Sequence, residues 1–84
     1  MSSELAEKLR VLLGMNVRRL RHARGYSQGE LARKANLSRE YISYIETRGE
    51  NASIASLASL AEALEVDVRE LFCPREEWPE DSEV

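Results

Sequence analysis

Apolar residues along this chain recur every three or four positions and nowhere alternate. Leu5, Leu9, Leu12, Leu13, Val17 and Leu20 fall along one stripe of a 3.6-residue helix. That stripe predicts a first helix from Ser2 or Ser3 to Arg24, closed by Gly25 as a C-terminal cap. Gly14 lies inside it and costs ~1 kcal/mol relative to alanine, so a break there, leaving a short leading helix, stays open. A second, short helix opens at Ser27, with Glu30 three residues later completing a reciprocal capping box, and ends near Ala35. Its inward face is Leu31 and Ala35, with Ala32 small enough for a neighbour to approach, while Arg33 and Lys34 point outward. Asn36 occupies the turn because asparagine tolerates the left-handed conformation. Leu37 plugs that turn into the core, and Ser38 caps a third helix.

Steps of 100° around the third helix put Ile42 and Ile45 on one side, with Tyr41 and Glu46 flanking them. The opposite side holds Arg39, Glu40, Ser43, Tyr44 and Thr47, a polar surface with no apolar anchor for a core. Beyond a loop from Arg48 to Ala52, Ser53 caps a fourth helix from Ile54 to about Leu64, with Ile54, Leu57, Leu60, Ala61 and Leu64 as its stripe. A fifth helix, from Asp67 to about Phe72, buries Val68, Leu71 and Phe72 and is stopped by Pro74. The remainder reads as an acidic, flexible tail over residues 74–84 unless Trp78 docks. No alternating run of β-branched and aromatic residues and no hairpin dipeptide signals a strand.

Length and chemistry remove whole classes of function. A chain of 84 residues with one cysteine, Cys73, and one histidine, His22, has no internal disulfide and no zinc ligand set. Its core has to come from helix packing, unaided or shared with a second subunit. Cys73 reads as a helix-end packing residue and His22 as an exposed residue of the first helix. There is no nucleophile elbow, phosphate loop or carboxylate pair beside a histidine, so no enzyme and no cofactor is expected. The longest unbroken aliphatic stretch, Val11 to Leu13, is far too short for a membrane span, and a cytoplasmic location is the expectation.

Formal net charge is −3, which at first argues against nucleic acid. The distribution changes the picture. From Lys8 to Arg48 ten basic residues face three acids, whereas the segment after Cys73 holds five acids and Arg75 alone. Local field, not net charge, is what a phosphate backbone meets.

The run G-Y-S-Q-G-E-L-A-R-K-A-N-L-S-R-E-Y-I-S-Y-I-E, followed by S-I-A-S-L-A-S-L-A-E-A-L-E-V-D-V-R-E-L-F, resembles the helix-turn-helix domain of the Cro and phage-repressor superfamily, often called the Xre family. Gln28, Leu31, Ala32, Leu37, Ser38, Ile42, Ile45 and Glu46 fall together at that family's spacing, and the likeness covers residues 13–72. It implies an all-α, compact five-helix, lambda-repressor-like DNA-binding domain over residues 1–73, with the helix-turn-helix at the second and third helices. In such a domain the third helix enters the major groove. Arg39, Glu40, Ser43 and Tyr44 are then the candidates for base contacts, Glu40 alternatively serving as an electrostatic partner that holds Arg39. Gln28, Ser38, Thr47, Arg48 and Arg18 are the candidates for backbone contacts. Arg21 and Glu46 match a family ion pair that fixes the first helix to the third.

A regulator of this type works as a homodimer on a palindromic operator, and Leu64, Val66, Val68, Leu71 and Phe72 are the candidate dimer surface, although some of them must also close the core. The leading Leu5 and Leu9 offer a second such surface. The resemblance implies double-stranded DNA and a second copy of the chain as partners. RNA polymerase or a toxin protein remains open as a further partner. The sequence does not separate a repressor from an activator, a controller protein or an autoregulating antitoxin, and a purely protein-binding module is the rival reading.

Overall fold

A computed structural model describes residues 3–49 and 52–80. The described residues form four α-helices and two 3-10 turns: α1 (Glu4–Ala23), α2 (Gln28–Ala35), α3 (Arg39–Thr47), α4 (Ile54–Leu64), η1 (Val68–Phe72) and η2 (Arg75–Glu77). No strand occurs among the described residues.

Serines start the helices as the sequence predicts. Ser3, Ser27, Ser38 and Ser53 sit at the N-caps of α1 to α4, each accepting the amide of the third residue on, at 3.0 Å. The hydroxyl satisfies a donor that the helix itself leaves orphaned. At α2 the box closes reciprocally, since Ser27 N donates to Glu30 Oε1 at 2.8 Å. That bond holds the Glu30 carboxyl below its ordinary value. α1 ends at a left-handed Gly25 and α2 at a left-handed Asn36. In both turns an amide just past the helix folds back five positions, Tyr26 N to Arg21 O and Leu37 N to Ala32 O. α4 closes the same way with Val66 N on Ala61 O, but there the left-handed residue is Glu65, with φ +57°.

The core is one cluster drawn from every α-helix and η1: Leu13, Val17 and Leu20; Leu31, Ala32 and Ala35; Ile42 and Ile45; Leu60, Ala61 and Leu64; and Leu71. α1 runs through Gly14 without a break. A Cβ at Gly14 would stand 2.7 Å from Glu46 O and 2.8 Å from Ile45 O. The glycine therefore lets the C-terminal end of α3 lie directly on α1. A Cβ at Gly49, whose φ is +68°, would stand 2.5 Å from the Arg10 carbonyl oxygen, so the glycine lets the chain leaving α3 sit on the same helix.

Several expectations need correction. The fifth helix is a 3-10 turn; between Asp67, which caps Arg69 N at 2.9 Å, and Pro74, five residues close i to i+3 bonds and cover more length than an α-turn. Ile54 is 82% exposed, because the buried row of α4 is Ser56, Leu60 and Leu64 at four-residue spacing and Ile54 falls off its edge. Val68 is also exposed. Leu64 and Leu71 have no exposed surface at all, so they close the core and present nothing to a partner chain.

The chain after Pro74 folds back onto α1 over the residues described. Buried Asn16 donates through Nδ2 to Leu12 O and to Cys73 O, both at 2.9 Å. Its Oδ1 accepts two bonds from Arg19, at 2.8 and 3.2 Å. The Arg19 guanidinium lies 4.8 Å from the Trp78 ring, Arg75 covers that ring at 5.0 Å, and Trp78 Nε1 donates to Cys73 O at 3.3 Å. Burial, with the Glu70 carboxylate nearby, pushes the Cys73 thiol up. Residues 81–84 of the expected tail lie outside the described residues, as do Ser2 and part of the loop between α3 and α4.

Candidate nucleic-acid interface

Among the described residues α3 is held to the rest of the fold by an apolar face, a hydroxyl and a carboxylate, while Arg39 and Glu40 are exposed on its other side. The first hold is apolar: Ile42 and Ile45 are fully buried. The second is the Tyr41 hydroxyl, 2.9 Å from Ser56 Oγ, which ties the near end of α3 to the start of α4.

The third hold is the Glu46 carboxylate. Arg21 grips it with two bonds, Nε to Oε2 at 2.6 Å and Nη2 to Oε1 at 3.0 Å. The pair's side chains are only 10% and 5% exposed. Arg21 spends a third donor on Tyr26 O at 2.9 Å, and Gln28 Nε2 donates to Glu46 Oε1 at 3.1 Å. One carboxylate thus joins α1, the start of α2 and the end of α3. Buried charge costs desolvation, which this geometry offsets because the carboxylate is met by three donors in total.

The positions expected at DNA separate by exposure and by the use of their donors. Arg39 and Glu40 are exposed on the first turn of α3, and Ser43 and Tyr44 are half-buried one turn on. Ser38 uses an acceptor lone pair in capping and keeps its proton. Thr47 does not, since its hydroxyl donates to Ser43 O at 2.9 Å. Gln28 has one amide hydrogen committed to Glu46 and a second available. Arg18 and Arg48 are exposed.

The basic field is smaller than the sequence count. Arg19 and Arg21 are buried in the networks above, and Arg24 faces Glu65 at 3.2 Å. Arg18, Arg33, Lys34, Arg39 and Arg48 keep exposed charge, with Lys34 5.1 Å from the Tyr26 ring. The sequence reading also missed Ser56, Gly14 and the Asn16–Arg19–Trp78 network. A polar Asn16 interrupting the apolar stripe of α1 was the one available signal for that network.

No group of residues suited to a metal ion occurs among the described residues, and no described helix is long and apolar enough to cross a membrane. A helix-turn-helix family model matches residues 17–71. A hypothetical transcription factor of Neisseria meningitidis is 37% identical over 71 residues, which covers 84% of this chain and 67% of the relative. The restriction-modification controller protein C.AhdI of Aeromonas hydrophila is 40% identical, with a TM-score of 0.72 over 75% of this chain and 96% of the other. The biofilm regulator SinR, solved in complex with DNA, is 35% identical, with a TM-score of 0.68 over 73% of this chain and 98% of the other. By its match over most of its length, the chain belongs to the helix-turn-helix family of the Xre/Cro and phage-repressor type.

Proposed function

We propose that this protein is a transcription regulator that binds double-stranded DNA sequence-specifically, as a homodimer on a palindromic operator. α2 and α3 form the helix-turn-helix, and α3 enters the major groove. The observation that carries this reading is the polarity of α3: its inner side is locked by Ile42, Ile45, Tyr41 and Glu46, while its outer side offers Arg39, Glu40, Ser43 and Tyr44. Rigid support on one side and hydrogen-bonding chemistry on the other is what base readout requires.

Arg39 donates to guanine O6 and N7, and Glu40 accepts from a cytosine amino group. Gln28 presents its second amide hydrogen to a phosphate while its first keeps it tied to Glu46, so the phosphate contact and the seating of α3 share one side chain. Ser38, Arg18 and Arg48 complete the backbone contacts, and Thr47 joins them only by giving up its bond to Ser43. Two copies place their recognition helices about 34 Å apart, one turn of DNA. The SinR–DNA complex supports this reading by fold.

Selection of bound duplexes from a random pool, together with the mass of the free protein, tests it. A palindrome and a dimeric mass are expected. Failure to enrich any sequence at low salt would favour a protein-binding module instead.

A further inference from the structure

α1 begins well ahead of the region that the helix-turn-helix family model matches: the helix starts at Glu4 and the match at residue 17. Its leading half carries Arg10, four residues before Gly14, the point where α3 lies on the helix. Arg18 stands four residues after that point. Steps of 100° put Arg10 about 40° to one side of Gly14 and Arg18 about 40° to the other, so the three form one row facing α3. The eight residues from Arg10 to Arg18 span about 12 Å, which is also about the width of a DNA major groove. α3 therefore crosses α1 with an arginine on either flank.

Arg10 is also joined to the loop that leaves α3. A Cβ at Gly49 would stand 2.5 Å from Arg10 O and 3.1 Å from Arg10 Cα, so the loop backbone rests directly on this residue. Exposed Arg48, one position earlier, is held beside it, the two Cα atoms within roughly 9 Å given about 3.8 Å between consecutive Cα atoms. Little inside the protein engages the Arg10 charge. Its ion-pair contact among the described residues is Glu7 at 3.9 Å, outside hydrogen-bonding range, and Glu7 is 73% exposed. Such a pair contributes little. The Arg10 side chain is 22% exposed, against 6% for Arg19 and 10% for Arg21, which spend their donors within the fold.

We propose that Arg10 is a further DNA-backbone contact, meeting a phosphate on the same side of the major groove as Arg48 while Arg18 meets the opposite side. This rests on the DNA-binding reading above and adds a contact from outside the matched family region. The ligand is a phosphodiester and not a base, because Arg10 lies beside α3 and its loop, at the edge of the groove, whereas the outer side of α3 occupies its floor. The planar guanidinium suits two phosphate oxygens at once. On binding, Arg10 exchanges the distant Glu7 carboxylate for that phosphate, and Glu7 opposes the exchange. Lys8 takes no part, since it lies about 160° around α1 from Arg10.

Fluorescence anisotropy of the full chain on its selected operator and on an unrelated duplex, over a salt series, tests this, with circular dichroism confirming that each variant folds. In Arg10→Gln the slope of log affinity against log salt should become about 0.9 shallower per protomer, a loss of about five- to tenfold per protomer at roughly 0.1 M salt. The factor should be the same on both duplexes, because phosphates carry no sequence. A packing role for Arg10 would lower the urea midpoint and leave that slope unchanged. Arg10→Lys should recover most of the affinity and the full slope. Glu7→Gln, at an exposed site, should bind both duplexes about two- to fivefold tighter, the range of an exposed charge interaction. Lys8→Gln removes the same charge from the far side of α1 and should change affinity less than about twofold, being screened over that distance. An unchanged slope in Arg10→Gln, a loss confined to the operator, no gain from Glu7→Gln, or an equal loss in Lys8→Gln overturns the assignment. In those cases, operator binding by the unaltered chain keeps the DNA-binding reading intact; an unaltered chain that binds neither duplex removes that reading and this contact together.

Discussion

Replacing Gly14 with alanine sets two effects of opposite sign against each other. In an exposed helix interior the change gains ~1 kcal/mol of helix propensity. At Gly14 the added methyl would stand 2.7 Å from Glu46 O and 2.8 Å from Ile45 O, about 0.6–0.7 Å inside ordinary van der Waals contact. Both atoms are backbone and cannot swing aside, so α3 has to move. A shift of about 0.7 Å would carry the 3.0 Å bond from Arg21 Nη2 to Glu46 out of hydrogen-bond range. Overpacking of this kind costs ~1–3 kcal/mol, which leaves a net loss of up to ~2 kcal/mol after the propensity gain. With a urea m-value of ~1 kcal/mol/M for a chain of this size, the midpoint should fall by up to about 2 M. Gly29→Ala is the matched control: its Cβ meets nothing nearer than Ser27 Oγ at 3.9 Å, so it should stabilise by ~0.5–1 kcal/mol. If both variants stabilise equally in urea titrations followed by circular dichroism, α1 and α3 do not meet as closely as described.

Glu46→Ala strips a buried arginine of its carboxylate and should cost ~3–5 kcal/mol, read as a collapse of the urea midpoint before any DNA measurement is meaningful. Glu65→Gly relieves a left-handed glutamate at the end of α4 and should stabilise by up to ~1 kcal/mol in the same assay, because the exposed pair with Arg24 that it removes contributes little. Trp78→Ala uncovers Arg19 and frees Cys73 O from one donor; it should lower the thermal midpoint, whereas Glu80→Ala, at an exposed site, should not. The Glu30 carboxyl is depressed by its bonds to Ser27, so its capping contribution is fully present above the unfolded value of about 4.5 and is lost as pH falls through the lower folded value. Glu30→Gln should therefore flatten the acid side of the stability profile below about pH 4.5, seen in urea midpoints taken from pH 7 to 3.

What the sequence discloses here is mostly local chemistry. Serine three residues ahead of an orphan amide, asparagine at a left-handed turn and a stripe of leucines are each readable within one helical turn, and each appears in the structure. Arg21 with Glu46 was readable only through the family's spacing, since the partners are 25 residues apart. Contacts between elements left weaker traces. Gly14 looks like a helix breaker until α3 is laid on it, and Glu65 gives no sign of a left-handed turn. Ser56 hides in a run of small residues although its hydroxyl meets both Ser53 and Tyr41. Trp78 looked like a loose residue in an acidic tail because its partners Arg19 and Cys73 O are assembled by the fold. At the candidate interface, exposure separates Arg39 and Glu40 from Arg19 and Arg21, which sequence alone counted as equal parts of one basic field.

The central claim is that the outward face of α3 reads bases, and Arg39 is its sharpest point. Duplexes bound by Arg39→Ala should be selected from a random pool and compared with those bound by the unaltered chain, at a fixed salt concentration. The account predicts relaxed preference at one or two positions, repeated symmetrically in both half-sites, with affinity for the original operator lower by ~1–3 kcal/mol. An unchanged preferred sequence, whether or not the affinity falls, would contradict it.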